Sequence, residues 1–259
     1  MNRIDKLFAE KKYNILSVYF TAGHPELDST VEIIRELVKN GVDMIEIGMP
    51  FSDPLADGPV IQQSAQMALK NGMSIKVLFE QLKDIRKHVD IPLLLMGYLN
   101  PVYQYGMEKF IAKASEVGID GVILPDLPVY EYLEDYKPIF SKYDIHNIFL
   151  VTPETSDERM KILDKESKGF IYMVSSSSTT GAKSSIATVQ ETYFQRVKNL
   201  NLKNPKVVGF GISNHETFGK ACEYANGAII GSAFVNILGK SEGSFSERIS
   251  DFVENVLHA

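Results

Sequence analysis

The chain alternates between short apolar runs and longer stretches in which apolar residues return every three or four positions. The short runs are Ile15 to Phe20, Met44 to Ile47, Ile91 to Met96, Val122 to Leu124, Ile148 to Val151, Phe170 to Val174, Val207 to Phe210 and Ala228 to Ile230. Each is too short for a helix, is rich in Val, Ile, Leu and aromatics, and shows little polar alternation. That is the pattern of strands buried on both faces of a parallel sheet. The longer stretches read as amphipathic helices, such as Ser29 to Asn40, with Val31, Ile34, Leu37 and Val38 on one face, and Met107 to Val117. Gly41, Gly118 and Gly169 each follow such a stretch and precede a strand, where a glycine suits the left-handed helix cap. The gap between the second and third strands holds two helical patterns, roughly Val60 to Lys70 and Ile75 to Val89, so an extra helix is expected there.

Eight strand-helix units over 259 residues average about 32 residues each, which fits a (β/α)8 barrel with extra short helices. No linker, charge block or low-complexity tract divides the chain, so one domain over residues 1–259 is expected, with the Ser/Thr cluster at 175–180 as the one compositional oddity. An open doubly wound sheet would commonly carry a glycine-rich turn after its first strand. Tyr19-Phe20-Thr21-Ala22-Gly23-His24-Pro25 is not that fingerprint.

Composition narrows the function classes. Apolar residues make up 44% and charged residues 23%, as in folded soluble domains rather than disordered chains. A net charge of −6 argues against nucleic acid or an anionic membrane as the main partner. The single Cys222 excludes an internal disulfide and multi-cysteine zinc sites, and reads as a packed side chain. No apolar run approaches the ~18 residues of a membrane span. Met1 to Lys6 lack the apolar core of a secretory signal, so the expected location is the cytoplasm. The five histidines (His24, His88, His146, His215, His258) share no ligand spacing, and no metal is expected. No Gly-x-Ser-x-Gly nucleophile motif occurs.

In a barrel of this kind, chemistry sits at the C-terminal ends of the strands. Glu46 interrupts the apolar second strand, Met44-Ile45-Glu46-Ile47-Gly48. Burial there would favour its neutral form and make it a usable acid and base near neutral pH; the alternative is a structural glutamate paired with a cation or backbone amides. The following loop, Pro50 to Pro59, adds Asp53 and Asp57 and three prolines. Both acids also suit turn or helix-entrance positions. Gly209-Phe210-Gly211 after the seventh strand and Gly231-Ser232 after the eighth, ahead of Ala233 to Leu238, resemble a phosphate cradle. Glycine lets backbone N–H groups approach an anion, and a helix start adds partial positive charge; the plainer reading is relief of crowding in strand-helix turns. Ser175 to Ser185 is expected to be a mobile loop or lid over the mouth.

The stretch Ile45-Glu46-Ile47-Gly48-Met49-Pro50-Phe51-Ser52-Asp53-Pro54-Leu55-Ala56-Asp57-Gly58-Pro59 closely resembles the tryptophan synthase alpha subunit family. Phe20 to Pro25, Pro125 to Pro128, Gly209 to Ser213 and Gly231 to Ala233 extend the likeness over nearly the whole chain. The resemblance implies cleavage of indole-3-glycerol phosphate to indole and glyceraldehyde 3-phosphate. It also implies an alpha2beta2 assembly, with the indole passed to a beta subunit that carries pyridoxal phosphate; no cofactor is implied in this chain. It assigns Glu46 as the acid/base and Asp57 as the carboxylate that holds the indole N–H. Tyr19, Tyr172 and Phe210 fall beside the substrate pocket, and Gly181, Gly211, Gly231 and Ser232 at the phosphate. Thr180 falls on the lid. The chain departs from the family with Ser178-Thr179-Thr180-Gly181 in the lid and with Tyr19 where phenylalanine is common. Two rival readings are a sugar-phosphate isomerase or epimerase and a catalytically silent barrel that binds a phosphometabolite or serves only as an activating partner. Proline and apolar residues at Pro50 to Pro59, Leu99 to Tyr103 and Leu127 to Tyr130 further suggest that the mouth is a protein interface.

Overall fold

The computed structural model describes residues 1–174, 183–209, 211–240 and 243–258, with the side chains of 183–189 outside the description. Nine parallel strands form one sheet: β1 (Ile15–Thr21), β2 (Met44–Gly48), β3 (Leu93–Met96), β4 (Gly121–Ile123), β5 (His146–Asn147), β6 (Phe149–Val151), β7 (Ile171–Val174), β8 (Lys206–Gly209) and β9 (Gly227–Ile230). Their hydrogen-bonded order is β5-β4-β3-β2-β1-β9-β8-β7-β6. The two ends of that row, β5 and β6, are joined through Ile148, so the sheet curls into a (β/α)8-type barrel.

The expected fifth strand, Ile148 to Val151, is observed as β6, and a further piece, β5, lies just ahead of it at His146–Asn147. β5 pairs with β4, whereas β6 pairs with β7. Neighbouring strands in a barrel are staggered, so a short strand reaches one neighbour with its first residues and the other with its last. The third strand starts at Leu93 rather than Ile91, since Pro92 has no N–H to contribute to a ladder. The gap after β2 holds the helices Pro59–Lys70 and Ile75–Leu82 and a 3-10 turn, Ile85–Lys87, where one helical pattern ran on to Val89. Gly41, Gly118 and Gly169 have φ of 86°, 86° and 81°, the left-handed backbone expected of them.

Alternation along the strands sorts side chains into two cores. Leu16, Val18, Phe20, Ile45, Ile47, Leu93 and Leu95 face outward and pack against helices. Ile15, Met44, Leu94, Ile123, Ile148, Phe170, Val207 and Ile229 face inward. The N-terminal mouth is plugged by the helix Arg3–Glu10, whose Ile4 and Phe8 join this inner core. Around the plug, charge is paired. Asp120, 3% exposed, takes hydrogen bonds from Arg86, from Arg3 (3.1 Å) and from the amide of Leu93 (2.9 Å). The same period-two alternation places Ser17, Tyr19, Glu46, Met96 and Tyr172 inside the barrel, toward its other mouth.

Candidate active site

Glu46 is fully buried. Ser17 of β1 donates to its Oε1 at 3.2 Å, and Oε2 has no hydrogen-bond partner among the described residues. Among the described residues no basic side chain offsets the burial, which pushes its pKa up to about 8, with the Ser17 hydrogen bond opposing. The structural alternative, a glutamate paired with a cation or with backbone amides, is not what the described residues show. A carboxyl with this pKa holds its proton at neutral pH yet can release it, which is what an acid/base group needs.

Two tyrosines stand in the same interior. Tyr19 lies beside Glu46 in the strand register and is hydrogen-bonded to Thr21. Its hydroxyl fills the space where a Cβ on Gly48 would sit, and the hydroxyl of Tyr172 does the same at Gly209. Each tyrosine therefore leans onto the next strand, and the glycine there makes room for it. Burial raises the pKa of both phenols, so both stay neutral hydrogen-bonding groups. Thr21 continues from Tyr19 to Ser64 at 2.6 Å, on the helix that begins two residues after Asp57.

A cavity of about 490 Å³ opens above them. Its lining includes Tyr19, Tyr172, Asp57, Gly211, Gly231 and Ser232, so six of the residues expected from sequence meet in one place. Met96, Ile61, Ile229 and Ile212 supply the apolar wall that a flat aromatic ring would need. Gly211 has φ of 76°, a backbone only glycine adopts readily. Gly231 precedes the helix Ser232–Leu238, whose first residue also faces the cavity. Among the described residues no lysine or arginine lines the space, and backbone N–H groups and the helix end are what they offer an anion. Glu46 is not part of the exposed lining; it lies one layer deeper, close enough for its charge to act on Tyr19 and Tyr172. A second, larger cavity of about 570 Å³ lies between the segments Leu124–Val129 and Phe149–Ser156. It contains neither Glu46 nor Asp57, and size alone does not make it the reactive site.

Asp57 sits on the loop over the cavity. Burial raises its pKa, opposed by a hydrogen bond from Tyr98 to its Oδ2 at 3.0 Å. Tyr98 went unnoticed in the sequence, where it reads as one more aromatic after an apolar strand. Its hydroxyl also accepts from the amides of Leu55 (3.2 Å) and Ala56 (3.1 Å), and its ring lies 5.3 Å from that of Phe51. Thr180, Gly181 and Phe210 lie outside the described residues, as does most of the expected lid; residues 183–185 of that lid begin the helix Lys183–Asn199 instead. His24 is buried and hydrogen-bonded to the backbone of Val235, and Cys222 is half-buried against the outer core.

The family model described as Tryptophan synthase alpha chain matches residues 5–257. The tryptophan synthase alpha chain of Flavobacterium johnsoniae is 59% identical over 256 residues, covering 99% of this chain and 100% of that one. Its counterpart in Phocaeicola vulgatus is 55% identical, covering 97% of both. Among solved structures, tryptophan synthase subunit alpha from Legionella pneumophila superposes with a TM-score of 0.89 at 34% identity, over 99% of this chain and 97% of that one. A chain of the tryptophan synthase a2b2 complex from Pyrococcus furiosus gives 0.87 at 38% identity, over 95% and 99%. On a match spanning almost its full length, this chain belongs to the tryptophan synthase alpha chain family.

Proposed function

We propose that the chain is a carbon–carbon lyase that splits indole-3-glycerol phosphate into indole and glyceraldehyde 3-phosphate, working as one barrel domain over residues 1–259. The observation that carries this is a fully buried Glu46, with no cation beside it among the described residues, beneath the cavity that also holds Asp57 and two glycine turns. The phosphate is held at Gly211, Gly231 and Ser232, with Gly181 joining them and Thr180 closing the lid. Tyr19, Tyr172 and Phe210 wall the substrate. Binding energy from the phosphate fixes the bond to be broken.

Protonated Glu46 gives its proton to C3 of the indole ring. The ring nitrogen then carries positive charge, which ionised Asp57 stabilises through the N–H. As a carboxylate, Glu46 next takes the proton of the hydroxyl on the carbon attached to C3. The bond between that carbon and C3 breaks, its electron pair returns to the ring, and the carbonyl of glyceraldehyde 3-phosphate forms. Glu46 ends protonated, as it began. The two carboxyls need different surroundings, and they have them: one deep in a strand, one on a loop beside a hydroxyl donor.

The indole passes to a beta subunit in an alpha2beta2 assembly. Pyridoxal phosphate belongs to that partner, and this chain works without a cofactor. Docking at the barrel mouth is supported by Leu55, Tyr103 and Tyr130, which follow β2, β3 and β4 and are 88%, 64% and 64% exposed. Val102, Leu127 and Val129 of the same segments are buried and serve the core, so the apolar face is smaller than its sequence suggests. No helix among the described residues is long and apolar enough to cross a membrane, and we place the reaction in the cytoplasm. Indole release by the purified chain, measured with and without a beta subunit, tests the reading. Release by the chain alone that rises on adding the partner supports it, and no release under either condition refutes it.

A further inference from the structure

Tyr98 stands at the C-terminal end of β3, 7% exposed, just before the helix Leu99–Tyr105. A tyrosine hydroxyl has one proton to donate and two lone pairs to accept with. Here all three are used: the amides of Leu55 and Ala56 take the lone pairs, and the proton goes to Oδ2 of Asp57. With both acceptor positions occupied, the hydroxyl cannot turn to receive a proton from Asp57. The arrangement therefore fits an ionised Asp57 and is frustrated by a proton on Oδ2. It also ties three consecutive residues of the loop to a single atom.

That atom is itself well placed. Gly97 donates to the carbonyl of Ile123 at 3.1 Å, and the carboxylate of Asp126 accepts the amide of Leu99 at 2.9 and 3.0 Å. The residues on either side of Tyr98 are thus fixed to β4 and to the loop after it, while the ring of Phe51 covers its face. Among the described residues, the other titratable groups coupled to Asp57 are Tyr19 and Tyr172, Glu46 lies deeper on β2, and the cavity lining holds no cation to keep Asp57 charged.

We propose that Tyr98 is a positioning residue for the cleavage reaction, holding Asp57 over the cavity in its ionised form through one saturated hydroxyl. This rests on the role given to Asp57 above. Burial raises the pKa of Asp57 and the Tyr98 proton lowers it, so removing the hydroxyl leaves burial unopposed.

The test is Tyr98→Phe in the full chain, with indole release from indole-3-glycerol phosphate followed across pH. The acid limb of the kcat profile should move up by about one pH unit. Plateau kcat should fall by about ten- to a hundredfold, as expected for a displaced catalytic group. In an Asp57→Asn background the same substitution should change kcat less than about threefold, because its effect runs through Asp57. Carbon-13 NMR of Asp57 should show its titration midpoint raised in the phenylalanine variant, independently of turnover. A uniform drop in kcat with an unmoved acid limb and an unmoved Asp57 titration would overturn the proposal, as would equal losses in both backgrounds. Asp57→Asn alone separates the two layers. If the acid limb survives in that variant, the role of Asp57 falls and that of Tyr98 with it; if the limb vanishes there but ignores Tyr98, only the Tyr98 role falls.

Discussion

The two mouths of the barrel treat buried charge in opposite ways. At the N-terminal mouth Asp120 is surrounded by Arg86, Arg3 and the amide of Leu93, and the plug helix seals the end with Ile4 and Phe8. Toward the C-terminal mouth Glu46 is buried just as deeply with one serine hydroxyl for company and one oxygen unpartnered among the described residues. A buried carboxylate with its partners in place holds structure together; one denied them is kept ready to exchange a proton. The lesson is that burial alone distinguishes neither role. What distinguishes them is whether neighbouring elements bring a cation, as the plug helix and the 3-10 turn Ile85–Lys87 do for Asp120.

If that contrast is right, exchanging Glu46 for Gln should leave the fold intact and be severe in activity. Indole release should fall by at least about a thousandfold, since a single acid/base group is worth about 10²–10⁴ and this one acts twice. Residual activity within tenfold of wild type, by the same assay, would end the assignment. The mirror experiment is Asp120→Ala. It strands Arg86, which is 17% exposed, so stability in urea should drop by about 3–5 kcal/mol, with kcat of the surviving folded protein little changed.

A pH titration sharpens the comparison next. Between the ordinary glutamate value of 4.5 and about 8, the folded chain keeps a proton on Glu46 that the unfolded chain has released. Stability should therefore decline as pH rises through that window and level off above it. Glu46→Gln should erase that decline, making the variant the more stable of the two at the alkaline end by a few kcal/mol in equilibrium unfolding. The smallest effect is expected from Gly48→Ala. Its new methyl would meet the hydroxyl of Tyr19, forcing the ring to shift, and overpacking of this kind costs about 1–3 kcal/mol. A KM increase with a smaller change in kcat would show that the displaced ring shapes binding rather than the proton transfers.

How much of this could be read from sequence depended on how local each feature is. Glu46 was legible because a carboxylate inside an apolar run is conspicuous wherever it lies. Gly211, Gly231 and Ser232 were legible because strand order in a barrel fixes which turns meet. Tyr98 was not, since its three partners sit 41 to 43 residues earlier in the chain and nothing in an aromatic after Leu-Leu-Leu-Met announces a hydrogen-bonding role. The pairing of Asp120 was not legible either, because its arginines come from two distant segments. The division of the fifth strand was likewise invisible, because its first piece, His146-Asn147, is polar and lies ahead of the apolar run.

That division has a topological consequence. Everywhere else around the barrel, neighbouring strands are fastened by hydrogen bonds between segments distant in the chain. Between β5 and β6 the fastening seen among the described residues is covalent, the backbone running through Ile148. The barrel is therefore a ring with a single seam, and the seam is a peptide linkage. Circular permutants with new termini in the loops before β2 or β8 would keep every ladder and should still close. A permutant opened at Ile148 would keep every ladder too, yet it would lose the one link that makes an open sheet into a ring, exposing two raw edges in the process.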